Sequence, residues 1–182
     1  MYEYIKGKVV DVSNSYAVLE TGSFAYKIFL TNKSLKVGDV ATIYIYYYFN
    51  ESVRELYGFR SLIEREVFTK LISIKSIGIK TAFIILKNDN YDIILNAALN
   101  NNYDFLLTLN KINEKNIDQL IKSLNSIKFN DVIKIDNSYY SALKTLDYTD
   151  ADIYKSFRKV DKNQSINLMI KEGIRLIESG DL

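Results

Sequence analysis

The chain of 182 residues contains no cysteine, no histidine and no proline, and only seven glycines. The missing cysteines exclude disulfides and thiolate chemistry, and the joint loss of cysteine and histidine removes the usual zinc ligand sets. Histidine acid–base catalysis is excluded for the same reason. No apolar run follows a basic start, and no stretch reaches membrane-spanning length, so no membrane partner is expected and a cytoplasmic location is. A glycine-rich nucleotide loop ending in Lys-Ser or Lys-Thr is also missing, which argues against an ATPase of that type. Carboxylates are scattered. Asp147, Asp150 and Asp152 form the only acidic cluster, and helix capping accounts for them better than metal binding does. No cofactor and no metal site are expected. Charge of either sign is also modest. The net value is +2, split as +1 over residues 1–60, +2 over 61–128 and −1 over 129–182. A nucleic-acid site would have to come from local geometry and one asymmetric face, not from bulk charge.

What is present is apolar and aromatic: 48% hydrophobic residues, enough to bury a core, with fifteen tyrosines. The abundance of Ile, Asn, Lys and Tyr reads as a biased genome. Its consequence is that motif glycines can be replaced, best by Asn, which tolerates positive φ. Residues 1–60 read as β structure. Tyr4–Val12, Tyr16–Thr21, Ala25–Leu30, Ala41–Tyr48 and Glu55–Phe59 are short Val/Ile/Tyr-rich runs separated by Ser13-Asn14, Gly22-Ser23 and Val37-Gly38-Asp39. In the fourth, Ile43, Ile45 and Tyr47 alternate with Tyr44, Tyr46 and Tyr48, the period of a small curved barrel of OB-fold size. Asn50-Glu51-Ser52 falls between two strands, at a hairpin tip.

The pattern changes at Ser61. With Glu64 three places on it makes a capping box, and Val67, Phe68, Leu71 and Ile72 follow at helical spacing. Helix continues to about residue 125, broken at Asn88-Asp89-Asn90 and Asn100-Asn101-Asn102. Within it, LISIKSIGIKTAFIIL at 71–86 and LLTLNKINEKNIDQLI at 106–121 are one pattern written twice, 35 residues apart. Leu71 matches Leu106, Ile77 matches Ile112 and Lys80 matches Lys115. Each copy is a helix, a tight turn and a second helix. A turn that aims backbone N–H groups and a lysine outward from a helix start suits a phosphate. Ile77 and Ile79 can pin the first turn while Gly78 admits a close backbone. In the second, Asn113 stands where Gly78 stood and Glu114 sets a carboxylate where a phosphate would approach. After a polar stretch, three helices are expected. Ser138 would cap the first with Ala142, Leu143 and Leu146 inward, Thr149 with Asp152 the second, and Ser165 the third, with Gly180 past its end.

ELYGF at 55–59, then Glu64-Arg65 and Phe68, then the SIGIK turn, together with Ile5-Lys6-Gly7-Lys8-Val9 and Gly22-Ser23-Phe24-Ala25-Tyr26, resemble the RuvA family of Holliday-junction branch-migration subunits over essentially the whole chain. The resemblance implies an α+β multidomain fold. An OB-fold β-barrel would occupy 1–61, a tandem helix-hairpin-helix DNA-binding domain 62–128, a linker 129–137, and a three-helix, UBA-like motor-binding domain 138–182. It also implies a non-catalytic homotetramer, with an octamer left open. That tetramer holds a four-way DNA junction open and planar for a RuvB-type hexameric ATPase, with a RuvC-type resolvase as a further partner. Carried over, DNA contacts fall on Ile77, Gly78, Ile79 and Lys80 and on Ile112, Asn113, Glu114, Lys115 and Asn116. Motor contacts fall on Leu146, Tyr148 and Ile174, and the acidic pin falls on Glu51, with Ser52 replacing its second carboxylate. The second hairpin lacks both usual glycines, and Asp147 stands where the family turns on glycine. A general duplex- or single-strand-binding repair factor and a nuclease component of the same pathway stay open as rivals.

Overall fold

A computed structural model of the chain describes residues 2–31, 35–88, 90–127 and 135–182. Residues 129–134 of the expected linker and Asp89 of the first expected break lie outside the described residues. Five strands come first: β1 (Tyr4–Val12), β2 (Tyr16–Thr21), β3 (Phe24–Leu30), β4 (Val40–Phe49) and β5 (Arg54–Phe59). They close into an OB-like barrel in the order β1-β2-β3-β5-β4, with β1 and β4 paired across the seam. Only β3 and β5 run parallel. The alternation foreseen in β4 is the barrel's inside–outside period. Ile43 and Ile45 are buried with Ile5, Val9, Leu19 and Ile28, and the tyrosines between them are half-exposed. Gly7 allows the barrel to close. A Cβ there would stand 2.4 Å from the backbone oxygen of Glu20, which has no freedom to move away.

Helices follow: α1 (Leu62–Ile72), α2 (Ile79–Asn88), α3 (Tyr91–Leu99), α4 (Tyr103–Thr108), α5 (Ile117–Asn125), α6 (Asn137–Thr145), α7 (Asp150–Lys159) and α8 (Ile166–Ser179). The chain divides into two compact units, Met1–Asn88 and Asp89–Leu182.

In the first unit, α1 starts where the capping box predicts. Ser61 Oγ accepts from Glu64 N at 3.1 Å. The Glu64 carboxylate reaches back to Arg60 N at 2.9 Å and also accepts from Thr31 Oγ1 at 2.6 Å, so one buried side chain ties the helix start to the end of β3. Arg65 bonds Glu3 ahead of β1, and its guanidinium holds the exposed Glu3 carboxyl below its ordinary value. Phe68 sits fully buried against Tyr46, Tyr57 and Phe59, and Phe83 of α2 meets Tyr57 edge-on. The α1–α2 pair is therefore founded on the barrel wall.

In the second unit, α3 is buried along most of its length and packs with α4, α5 and α7. The three C-terminal helices surround Tyr139, whose hydroxyl shares a 2.8 Å hydrogen bond with Ser156. Gly173 of α8 lets that phenol in, since a Cβ there would lie 1.9 Å from the hydroxyl. Two local expectations change. The cap of α6 is Asp136 in place of Ser138, its carboxylate accepting from Ser138 N at 2.8 Å and Tyr139 N at 3.3 Å. Leu146, expected inward, is 54% exposed because α6 ends at Thr145 and the chain turns outward there.

Arg158 of α7 pairs with Asp92 of α3. Burial lifts the Asp92 carboxyl above its ordinary value, and Arg158 pulls it back only in part. A carboxyl lifted in the folded state binds its proton better there than when unfolded. Its stabilising contribution is therefore full below the unfolded value and is lost as pH rises through the folded value. Arg158→Ala removes the cationic partner of a buried carboxylate and should cost about 1 kcal/mol at neutral pH. The loss is held below the fully buried case because Arg158 is half-exposed. Asp92→Asn should cost less and flatten the pH dependence. Thermal unfolding of both variants across ~pH 4 to 7 checks the order.

Candidate nucleic-acid interface

The first interhelical turn, residues 73–78, is held from below. Ile74 and Ile77 are buried, with Ile74 N bonded to Leu71 O at 3.1 Å and Ile77 N to Ile74 O at 2.8 Å. Gly78 and Lys80 are exposed and Ile79 is half-buried. The first backbone bond of α2 is Ala82 N to Gly78 O at 2.9 Å, which leaves the amides ahead of it without an intrahelical partner. A Cβ built on Gly78 meets nothing within 4 Å, and its φ is not in the left-handed region. Gly78 is thus not demanded by the turn, and the space beside it is open to a ligand's backbone. The first turn of α2 holds no acidic residue to offset the positive end of the helix beside Lys80.

The second turn repeats the frame but is closed on itself. Leu109, Ile112 and Ile117 pin it from below. Asn113 N donates to Asn116 Oδ1 at 2.8 Å, Lys115 N donates to Asn113 Oδ1 at 3.0 Å, and Asn116 Nδ2 donates to Lys111 O at 3.0 Å. Two amides that could meet a phosphate are already satisfied by asparagine side chains. The left-handed residue is Lys111, φ 68°, and not Asn113, the position at which glycine was seen to be missing. Asp118 in the first turn of α5 accepts from Tyr103 OH at 2.8 Å, and exposed Glu114 directly precedes Lys115 in the chain. The Asx turn at Asn113 and the back-bond from Asn113 N to Asn116 Oδ1 are a local signal, and the spacing N-x-x-N could have revealed them.

Glu51 and Ser52 are exposed at the tip joining β4 to β5, as their place in the sequence suggested. Asn50 builds the tip: its Oδ1 accepts from Ser52 N at 2.9 Å and Val53 N at 2.7 Å. In the second unit, Leu146 and Tyr148 flank the α6–α7 turn, where Asp147 takes φ 62°, the glycine-like conformation. Tyr148 OH donates to Glu178 of α8 at 3.1 Å, one helical turn beyond half-buried Ile174. Among the described residues no cluster of three His, Cys, Asp or Glu could hold a metal, and no helix is long and apolar enough to cross a membrane.

The closed barrel, followed at once by helices founded on its wall, defines an α+β protein with an N-terminal OB-like barrel and a helical remainder. The model of the RuvA N terminal domain family matches residues 1–58. A Clostridium perfringens (strain 13 / Type A) protein named Holliday junction branch migration complex subunit RuvA is 31% identical, the match spanning 97% of this chain and 99% of that one. Proteins of the same name from Acholeplasma laidlawii and Lactiplantibacillus plantarum are 30% and 28% identical, over 97% of this chain in each case. The chain belongs to the RuvA family.

Proposed function

We propose that this chain binds four-way DNA junctions structure-selectively as a homotetramer and holds them open and planar for a RuvB-type hexameric ring ATPase, itself catalysing nothing. The reading is carried by the first turn, where the α2 start that precedes its first intrahelical bond, open space at Gly78 and exposed Lys80 stand on the barrel wall. Residues 1–61 form the OB-fold domain and 62–128 a tandem helix-hairpin-helix domain. Residues 129–137 link these to a UBA-like motor-binding domain at 138–182. Ile77, Gly78, Ile79 and Lys80 take a phosphate of each arm. Ile112, Asn113, Glu114, Lys115 and Asn116 take a second one weakly, and Glu51 serves as a single-carboxylate pin at the crossover. Leu146, Tyr148 and Ile174 face the motor, and a RuvC-type resolvase is a further partner in the cytoplasm. With one turn doing most of the phosphate work, the salt dependence of binding is shallower than in a relative with both turns open.

Native mass of the protein with and without a synthetic four-way junction tests the assembly. Four copies on one junction support it, and a monomer in both states contradicts it. A second reading, a general single-strand or duplex binder, draws on the exposed barrel aromatics Tyr4, Phe24 and Phe49. It predicts equal affinity for junction and linear DNA.

A further inference from the structure

Between the β4–β5 tip and the start of α2 the first unit holds a groove of about 550 Å³, lined by Tyr48, Asn50, Val53, Glu55 and Tyr57 on one side and Gly78 to Thr81 on the other. That volume falls in the ~300–1,000 Å³ range of sites that enclose a ligand the size of a nucleotide. None of the sites assigned so far uses its β-hairpin wall. Tyr48 and Glu55 are directly paired across β4 and β5, so an aromatic ring and a carboxylate stand side by side on one face. The Tyr48 hydroxyl accepts from Asn50 Nδ2 at 2.9 Å, which ties the ring to the tip. Glu55 uses Oε2 to accept from Tyr57 OH at 2.7 Å and keeps acceptor capacity for another donor. Burial, then Glu55 itself, pushes the Tyr57 phenol well above its ordinary value, so Tyr57 stays a donor to that carboxylate.

The chemistry is graded along the groove. At one end, amides and Lys80 suit a phosphate. In the middle, Tyr48, Val53 and Ile79 suit a flat ring. Beside Tyr48, a carboxylate that can only accept suits an amino group and repels a carbonyl oxygen. We infer that this groove holds one unpaired nucleotide of the junction, parted from its partner at the β4–β5 tip, and prefers a base with an exocyclic amino group over thymine. Its phosphate lies on the Gly78–Thr81 turn, its base lies against Tyr48, and its amino group donates to Glu55. The inference rests on the reading that the first turn binds junction phosphate.

The test uses the full chain and immobile four-way junctions carrying one unpaired nucleotide per strand at the crossover: cytidine, thymidine or an abasic sugar. Cytidine should bind about fivefold or more tighter than thymidine, the discrimination of one good polar contact to a base edge. Glu55→Gln, whose amide can also donate, should bring the cytidine-to-thymidine ratio to about one. Tyr48→Ala should reduce both to the abasic level. Equal affinity for all three junctions in the wild type overturns the inference while leaving the junction reading intact, and so does a cytidine preference that survives Glu55→Gln. If the fully paired junction itself is not bound, the junction reading fails and this inference falls with it.

Discussion

Lys80→Glu should weaken four-way junction binding by about tenfold or more, whereas Lys115→Glu should weaken it by less than about threefold. The two lysines occupy matching positions in the repeat, but their surroundings differ, as Asn113 and Glu114 already signal in the sequence. Lys80 lies in a helix start with no acid, beside amides that have no intrahelical acceptor. Lys115 lies in a turn whose Asn113 and Lys115 amides are taken by Asn116 and Asn113 side chains, and Glu114 and Asp118 flank it. Reversing charge at Lys80 removes a phosphate contact and sets a carboxylate against the next phosphate. At Lys115 little contact exists to remove. Electrophoretic or anisotropy titrations at one fixed salt concentration measure the pair. A larger loss at Lys115 would reverse the ranking of the two turns.

Phe68→Ala should cost about 3–5 kcal/mol of stability. Phe68 is fully buried, with ring centroids 4.8 Å from Phe59, 5.2 Å from Tyr46 and 6.0 Å from Tyr57, so truncation opens a cavity where α1 meets the barrel. The loss is a large share of the ~5–15 kcal/mol that holds a typical domain together. Since α1 carries the first turn on that contact, junction affinity should fall along with stability, although Phe68 touches no ligand. Urea unfolding should show a lower midpoint, and Phe68→Leu should recover most of both losses. An unchanged midpoint would mean that the helices do not depend on the barrel wall.

Local pattern carried much of the fold in the sequence. Alternation in β4 set Ile43 and Ile45 on one face, and the structure shows that face to be the inside of the barrel. Ser61 with Glu64, and Thr149 with Asp152, marked the starts of α1 and α7, because a cap is satisfied within three residues. Long-range partners were not legible. Nothing near Glu64 announces Thr31, and nothing near Asp92 announces Arg158, since both pairings are made by tertiary approach. Leu146 fits a helical apolar period yet faces solvent, because the helix stops one residue before it. The candidate site was legible as a repeat, but the difference between its copies was only partly so. Asn113 and Glu114 signalled a weaker second turn. The reason the structure adds is that asparagine side chains occupy the amides, and that strain falls on Lys111.

Structure-selective junction binding works through the first turn, at Gly78 and Lys80, in the function proposed for this chain. The most direct test is competition: a labelled four-way junction bound by the full chain, challenged with a large excess of unlabelled linear duplex of the same sequences. The junction complex should survive this excess in the wild type and be lost with Lys80→Glu. Displacement of the wild-type complex at stoichiometric duplex would contradict it.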